Sequence, residues 1–458
     1  MRVLVIGGGA REHALARRLR ADPGLSDLVC APGNPGISLL ARLLPGDVSR
    51  PGGLSALADF AARERIDLTI VGPEVPLSFG IVDRFVAAGL AIFGPTAAAA
   101  RLESSKAFAK AFMARHDVPS ARFRLADSAD EALATIESGE FAFPVVLKAD
   151  GLAAGKGVVV AQTRFEAGNA IAAAMTDRRF GGAGARLVIE ECMTGPEVSF
   201  FAVCDGARAL PIGTAQDHKR MFDEDLGPNT GGMGAFAPSP LVDSALHARV
   251  MREIVEPVIA GLAAEGHPFR GFLYAGLMLT SSGPKVIEFN VRLGDPEAQV
   301  VLPLIDEPFL PMLAAAASGN LRQTTCRLSA EKLVGVVLAS RGYPESFESD
   351  QLIDGLAQAE SIPGVHVLHA GTATRDGRIV TSGGRVLTVV GRGADFPEAI
   401  TRAYAGVSQI SFDGMQYRRD IGRKALQSSD LSRSSKSSKS SNPQILKSSN
   451  PQILKSSN

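Results

Sequence analysis

The first hundred residues alternate between short apolar runs and stretches with apolar residues at helical spacing. Arg2–Ile6, Leu28–Cys30, Ile66–Val71 and Ala91–Phe93 read as strands; Arg11–Arg20, Leu54–Arg65 and Phe79–Ala88 read as helices. This alternation predicts an open parallel sheet with helices on both faces. A second region, from about Leu102 to Leu321, holds the strands VVLK, RLVIEE and KVIEFN and the loop DLGPNTGGMG. A third, from about Glu331 to Arg423, is β-rich: LVGVVLAS, VHVLHAGTA and RVLTVVGRG are separated by glycine and proline. The pattern predicts α/β domains at 1–102 and 103–325, a mixed domain at 326–424 and a low-complexity, disordered tail at 425–458. In the tail SSNPQILK occurs twice, at Ser440 and Ser448. Such a composition buries no core, and the repeat reads as a recent duplication in the DNA rather than as a partner-binding array.

A chain of 458 residues, 45% of them hydrophobic, supports about three domains of roughly 150 residues. Basic and acidic residues both number 48, so charge gives no case for nucleic acid or an acidic membrane as partner. Cys30, Cys192, Cys204 and Cys326 lack metal-ligand spacing and read as reduced thiols of a cytoplasmic protein. No apolar run approaches the roughly 18 residues of a membrane span, and MRVLVIGGG is too short for a signal peptide.

Five stretches carry chemistry. VVLKADGLAAGKGVVVA (Val145–Ala161) resembles a Walker loop, but Gly151 and Gly155 are one residue too close, and Gly157 stands where a hydroxyl is required. The β-branched run that follows is a strand, so the loop is a flap rather than a helix-end cradle. Lys148, embedded in an apolar strand, reaches an anion or snorkels to the edge. SSKAFAKAF (Ser104–Phe112) is a helix capped by Ser104 or Ser105, and Lys106 in its first turn opposes the helix dipole unless an anion lies near. RLVIEECM (Arg186–Met193) ends a strand in carboxylates, and Glu197 follows; a purine slot or a solvated strand end fits both. In KVIEFNVRLGDPE (Lys285–Glu297) Glu288, Asn290 and Arg292 share one strand face: two hard oxygen ligands for Mg²⁺ and a guanidinium clamp, or a strand running into a polar turn. GGGAREHAL, from Gly7, breaks the dinucleotide fingerprint at Glu12, and its loop, with Gly9 and Arg11, presents an anion site or a tight turn.

Together the flap, the IEE strand and the EFN strand resemble the ATP-grasp superfamily. GGGAREHAL, GPEVPL, TAQDHKRMFDEDLGPNTGGMGAFAP, GFLYAGLM, EFNVRLGDPE and FDGMQYRRDIG, in this order over about residues 1–424, resemble the glycinamide ribonucleotide synthetase (phosphoribosylamine–glycine ligase) family. The resemblance implies an ATP-grasp core whose small lid, about 123–188, carries the flap. It implies ATP and Mg²⁺ or Mn²⁺, glycine and phosphoribosylamine as substrates, a glycyl phosphate intermediate, and a monomer. ATP contacts would come from Lys106, Lys148, Gly155, Lys156, Gly157, Glu190, Glu191, Met193 and Glu197, and metal ligands from Glu288 and Asn290. Lys148 and Arg292 would be catalytic. Gly9, Arg11, Glu12, Asp217, His218, Lys219, Arg292, Gly294 and Asp295 would contact glycine or phosphoribosylamine. Two features depart from related enzymes: GFLYAGLM lacks the metal carboxylate many superfamily members carry there, and Val291 replaces the family's commoner Cys. A different ATP-grasp ligase would keep the flap and EFN but not QDHKR…GPNTGGMG. An NAD-dependent oxidoreductase is disfavoured by the broken fingerprint, and a non-catalytic nucleotide module by Lys106, Lys148, Glu288, Asn290 and Arg292 standing together.

Overall fold

The computed structural model describes residues 1–151 and 157–427. Strands β1 (Arg2–Gly7), β2 (Asp27–Pro32), β3 (Arg42–Leu43), β4 (Leu68–Val71) and β5 (Ile92–Phe93) form a parallel sheet in the order β3-β2-β1-β4-β5. Val3 and Val5 of β1 pack with Leu15 and Leu19 of helix Ala10–Arg20. Leu4 and Ile6 pack on the other face with Leu54, Leu57 and Phe85. Period-two alternation with both faces apolar is what a doubly covered parallel sheet requires. The helix expected at Phe79–Ala88 is Ile81–Ala87, and a short helix that was not expected, Glu74–Ser78, precedes it, the two parted at Gly80, which adopts φ 74°.

The segment expected to form a lid contains a separate antiparallel sheet of β6 (Phe123–Ala126), β7 (Val145–Ala149), β8 (Val158–Ala161) and β9 (Leu187–Glu191), in the order β6-β9-β7-β8. It has its own core, in which Ile136, Leu147, Ile171 and Ile189 pack together. Strands β7 and β8 pair on either side of the glycine flap, with Lys148 opposite Val158. Gly155 and Lys156 lie outside the described residues.

The central sheet contains β10 (Glu197–Asp205), β11 (Ala209–Asp217), β14 (Gly234–Ala237), β15 (Arg270–Thr280) and β16 (Gly283–Asn290); β12 (Arg220–Phe222) and β13 (Leu226–Asn229) make a hairpin beside it. The sheet continues through the pairing of β14 with β17 (Lys332–Ala339) into β18 (Val365–His369) and β21 (Arg385–Gly393), in the order β16-β15-β10-β11-β14-β17-β21-β18. The remaining hairpin is β19 (Thr372–Arg375) with β20 (Arg378–Thr381). One eight-stranded sheet therefore runs from the EFN strand into the C-terminal region. A tail starting at 425 needs correction: Ala425 is fully buried in the C-terminal core and Leu426 packs against it.

Candidate active site

The EFN strand sets the geometry. In β16, Glu288 lies opposite Gly276 and Asn290 opposite Tyr274, while Phe289 and Val291 turn into the core. Neither the Glu288 carboxylate nor the Asn290 amide has a hydrogen-bond partner among the described residues. Burial would raise the Glu288 carboxyl, yet Lys219, Lys148, Lys106 and Arg292 hold it below the usual carboxylate range. An ionised, unpaired carboxylate and a free amide on one strand face fit a hard cation. Among the described residues no group of three or more His, Cys, Asp or Glu could hold a metal. A cation here would have to complete its shell with oxygens from phosphate and water.

Lys219, Lys148 and Lys106 surround this point, and Lys110 lies behind it at Glu190. Lys148 Nζ lies 2.9 Å from Glu190 Oε2 and donates to the carbonyl of Ile287 at 3.1 Å. Lys110, which escaped the sequence reading, lies 3.4 Å from the other oxygen of Glu190 and donates to Ala121 O at 2.8 Å. Burial and the nearby Lys148 charge lower the Lys110 ammonium to about 8 despite Glu190. Lys106 donates to Gly151 O at 2.9 Å, and burial holds its ammonium below the ordinary range. The anion sought at its helix end is Asp150, which accepts from Ala107 N at 3.1 Å and from the Ser105 hydroxyl at 3.3 Å. Ser105 is the helix cap, accepting from Phe108 N at 3.1 Å. A carboxylate at a helix N-terminus explains how that first turn tolerates a lysine.

Glu190 does not behave as a solvated strand end: it is buried between two lysines, on a strand flanked by β6 and β7. Glu191 pairs outward with Arg122 at 2.7 Å. The chain leaves this strand at Cys192 and Met193, beside Glu197, whose carboxylate takes Lys219 Nζ at 2.6 Å. Gly157 sits at the near end of the flap, its carbonyl accepting from Ala149 N at 2.8 Å.

Asp217 and Lys219 face Glu197, Glu288 and Glu297, whereas His218 between them does not. Burial, with Glu297, Glu197 and Glu288, lifts the Asp217 carboxyl to about 7, against the pull of Lys219. His218 turns to the opposite side, against Phe236 and near Arg418; it is 1% exposed, and burial lowers its imidazole to about 3. The structure separates it from the cleft because neighbouring residues along an extended chain point to opposite sides.

The N-terminal glycine loop meets the cleft at RLGDP. Arg292 donates to Glu74 at 3.1 Å and pairs with Glu103 at 2.8 Å; Arg11 also reaches Glu74, at 3.8 Å, and both arginines donate to Leu293 O. Burial opposes ionisation of Glu74, but Arg292 and Arg11 hold its carboxyl at about 2. Arg292 is thus held by two carboxylates rather than free to swing. Glu12 is buried, accepting from Gly9 N at 2.7 Å and Arg11 Nε at 2.6 Å. A side chain on Gly7, whose φ is 122°, or on Gly72 would collide with Glu12. Glu12 consequently braces the loop, and the broken fingerprint reflects a carboxylate occupying the space. Asp295 accepts from Gln299 Nε2 at 2.7 Å and pairs with Arg385 at 3.0 Å, while Gly294 leaves room for Glu297. Glu74, Glu103, Asp150, Lys110, Glu297 and Arg385 were absent from the sequence-derived site. Glu74 and Glu297 stood inside quoted motifs; Arg385 had no local signal, because it arrives from the C-terminal region.

A small four-stranded antiparallel sheet that meets the carboxylate-bearing antiparallel EFN strand through Lys148 and the carbonyl of Ile287 is the architecture of an ATP-grasp protein. Solved structures of that fold agree: biotin carboxylase from Campylobacter jejuni superposes with TM-score 0.70 over 94% of this chain and 96% of its own, at 16% identity, which speaks to fold alone. The chain belongs to the phosphoribosylglycinamide synthetase family, whose N domain matches residues 1–103, ATP-grasp (A) domain 104–298 and C domain 333–424. The phosphoribosylamine–glycine ligase of Xylella fastidiosa (strain Temecula1) is 50% identical over 431 residues, 93% of this chain and 98% of that protein. That of Vibrio parahaemolyticus is 48% identical over 429 residues, covering 93% and 99%. The crystal structure of the Thermotoga maritima phosphoribosylamine–glycine ligase has TM-score 0.80 and 32% identity over 92% of this chain and all of that one.

Proposed function

We infer that the chain ligates glycine to 5-phosphoribosylamine with consumption of ATP, releasing ADP, phosphate and glycinamide ribonucleotide, as a step of purine biosynthesis. The observation that carries this reading is family membership across all three domains, joined to an unpaired Glu288–Asn290 face ringed by lysines. Glycine's carboxylate oxygen attacks the γ-phosphorus of ATP and ADP leaves, giving glycyl phosphate. The amine of phosphoribosylamine then attacks the acyl carbon, phosphate departs and the amine loses a proton. Lys106 and Lys148 lie where the anionic phosphates would enter, and Lys148 would exchange part of its contact with Glu190 for phosphate. Glu288 and Asn290 would hold Mg²⁺ or Mn²⁺, which when bound offsets phosphate charge. Gly155, Lys156 and Gly157 would close over the triphosphate and exclude water from the acyl phosphate.

Met193, Glu191 and Glu197 are proposed for adenine and ribose, with Glu190 acting through the lysines it positions. Gly9, Arg11, Asp217, Lys219, Gly294 and Asp295 are proposed for glycine and phosphoribosylamine, with Arg292 anchoring the cleft between Glu74 and Glu103. Glu12 and His218 support the loop and the strand end respectively. We further propose the division into 1–102, 103–325 and a C-terminal domain from 326, and a cytoplasmic monomer; among the described residues no helix is long and apolar enough to cross a membrane. ADP release, measured with glycine and freshly made phosphoribosylamine each omitted in turn, tests the activity. Release indifferent to glycine, or equal turnover with another acid, would remove the assignment. Sedimentation of the purified chain as a dimer would remove the monomer.

A further inference from the structure

The C-terminal region meets the cleft at Arg385. This residue opens β21 opposite Ala339 of β17, and Ser340 N donates to Gly384 O at 2.8 Å, so paired strands fix the base of the side chain. Its guanidinium is shared between two loops of the cleft. Nη1 donates to the carbonyls of Gly231 and Asp295, the latter at 2.7 Å, and Nη2 lies 3.0 Å from Asp295 Oδ2. Tyr343, from the same region, grips the first loop again: its hydroxyl oxygen accepts from Gly231 N at 2.8 Å. Each loop carries a residue of the cleft. Thr230, next to Gly231, donates from its amide and its hydroxyl to Lys219 O, at 2.7 and 2.9 Å. Asp295 lies between Arg385 and the N-terminal glycine loop, where a Cβ on Gly9 would stand 3.8 Å from its Oδ2. Burial would raise the Asp295 carboxyl, yet Arg385, Arg11, the Gln299 amide and Arg292 hold it below the usual carboxylate range. Lys148 and Lys106 are among the main charges felt by Glu288, and Arg385 and Arg11 among those felt by Asp295; Arg292 acts on both. The cleft thus has a lysine end and an Asp295 end.

Removing this guanidinium would not orphan Asp295. The Gln299 amide at 2.7 Å and the charges of Arg11 and Arg292 remain, and the exposed Gly231 carbonyl exchanges its lost donor for water. Loss of Arg385 therefore frees the two loops from each other more than it unfolds them, and small misplacements within a site cost rate and affinity. On the ligase reading, glycine's carboxyl group must face the γ-phosphate on one side and the attacking amine on the other. With ATP at the lysine end, phosphoribosylamine falls to the Asp295 end. We propose that Arg385 is a positioning residue which, with Tyr343, fastens the Gly231 and Asp295 loops to the C-terminal region and so shapes the phosphoribosylamine end of the cleft. This inference rests on the ligase reading and makes the C-terminal region part of the site.

Steady-state ADP release, with ATP, glycine and phosphoribosylamine varied in turn, tests it. Arg385→Ala should raise KM for phosphoribosylamine about tenfold and lower kcat about tenfold, while KM for ATP stays within about twofold. Arg385→Lys keeps the charge without the fork and should recover part of the loss. Tyr343→Phe removes only the acceptor of Gly231 N and should act in the same direction, more weakly; these two conservative variants carry the test if Arg385→Ala does not fold. Arg341→Ala, which unpairs the exposed Asp413 elsewhere in the C-terminal region, should leave every constant unchanged. An unchanged KM for phosphoribosylamine, a rise of all three KM values together with a fall in melting temperature, or the same loss in Arg341→Ala would each overturn the proposal while the wild-type enzyme still ligates. Wild-type ADP release that needs neither glycine nor phosphoribosylamine would instead remove the ligase reading, and this proposal with it.

Discussion

The two sides of the short stretch Asp217–Lys219 follow opposite rules. On the cleft side Asp217 and Lys219 meet Glu197 and Glu288, and charges are left partly unspent: Glu288 has no hydrogen-bond partner among the described residues, and Asp217 is lifted to about 7 by burial and neighbouring carboxylates. On the side facing the C-terminal region everything is neutral or paired. His218 is buried and uncharged, and Arg418, fully buried, donates to Asp420 at 2.7 and 2.8 Å and to Asp225 at 2.9 Å. The same division appears at the N-terminal helix, where Arg11 serves the cleft while His13 Nδ1 accepts from His369 N across the seam at 2.8 Å. One side stores charge for a ligand to complete, and the other neutralises or pairs its charges to hold the domains together, although both ring nitrogens of the buried His218 have no hydrogen-bond partner among the described residues. Substitutions on the first side should therefore cost activity, and on the second stability.

Acid should separate the two most strongly. Burial lowers His13 and His218 to about 3 and His369 to about 4. In the unfolded chain these imidazoles take up protons near 6.5. Their neutral forms thus place no penalty on folding above that value, and stability is lost as pH falls from about 6.5 towards 4. The slope is about 1.4 kcal/mol per pH unit for each histidine, or roughly 4 for the three. Urea unfolding at a series of pH values should show this loss, and His218→Asn and His13→Asn should each flatten it. A flat profile between pH 6.5 and 5 would mean the seam is not the acid-labile region.

Arg418→Ala should come next, at about 2–4 kcal/mol, because it empties a fully buried position and takes the cation from Asp420 and Asp225, neither of which is fully buried. Thermal or denaturant unfolding measures it, and activity per folded molecule should change little. A soluble variant with unchanged melting temperature would break the contrast. Glu288→Gln should do the reverse: kcat falls roughly 10²–10³-fold and the Mg²⁺ requirement rises, while stability stays within about 1 kcal/mol. Near-normal turnover at low Mg²⁺ would take Glu288 out of the site. Asn290→Ala, removing a neutral oxygen, should lower kcat in the same direction by about tenfold.

The cleft was more legible in the sequence than the seam, for a physical reason. Glu288, Asn290 and Arg292 lie two residues apart, so strand periodicity alone places them on one face. The flap announces itself because glycines interrupt two β-branched runs. Lys110 also belonged to a quoted motif, but helical spacing reads equally well as a solvated face, and only folding shows its ammonium beside Glu190. Arg385 and Glu103 reach the cleft from other elements, and His13, Asn34 and His369 meet across more than 300 residues of chain. Contacts of that range leave no periodic trace. His218 went the other way: grouped with Asp217 and Lys219 by adjacency in QDHKR, it is parted from them by the alternation of the extended chain.

The smallest expected effect concerns where the C-terminal region stops. Composition marks a change near Gln427, but packing fixes the limit more finely. Lys424 pairs with Asp225 at 2.7 Å, Ala425 is fully buried, and Leu426 lies against the C-terminal core. These residues complete the same seam that Arg418 anchors, since Asp225 is shared by Arg418 and Lys424. Truncation after Arg423 should therefore cost about 1–3 kcal/mol, from lost apolar burial and from Asp225 losing one of its two cations. Truncation after Gln427 removes only the Ser-, Lys- and Asn-rich repeat, whose composition supplies no core, and should leave melting temperature and turnover unchanged. Melting curves of the two truncations beside the full chain decide the matter. Equal stability of both would show that residues 424–427 add nothing to the seam, and a drop with the longer chain would show that the repeat itself docks.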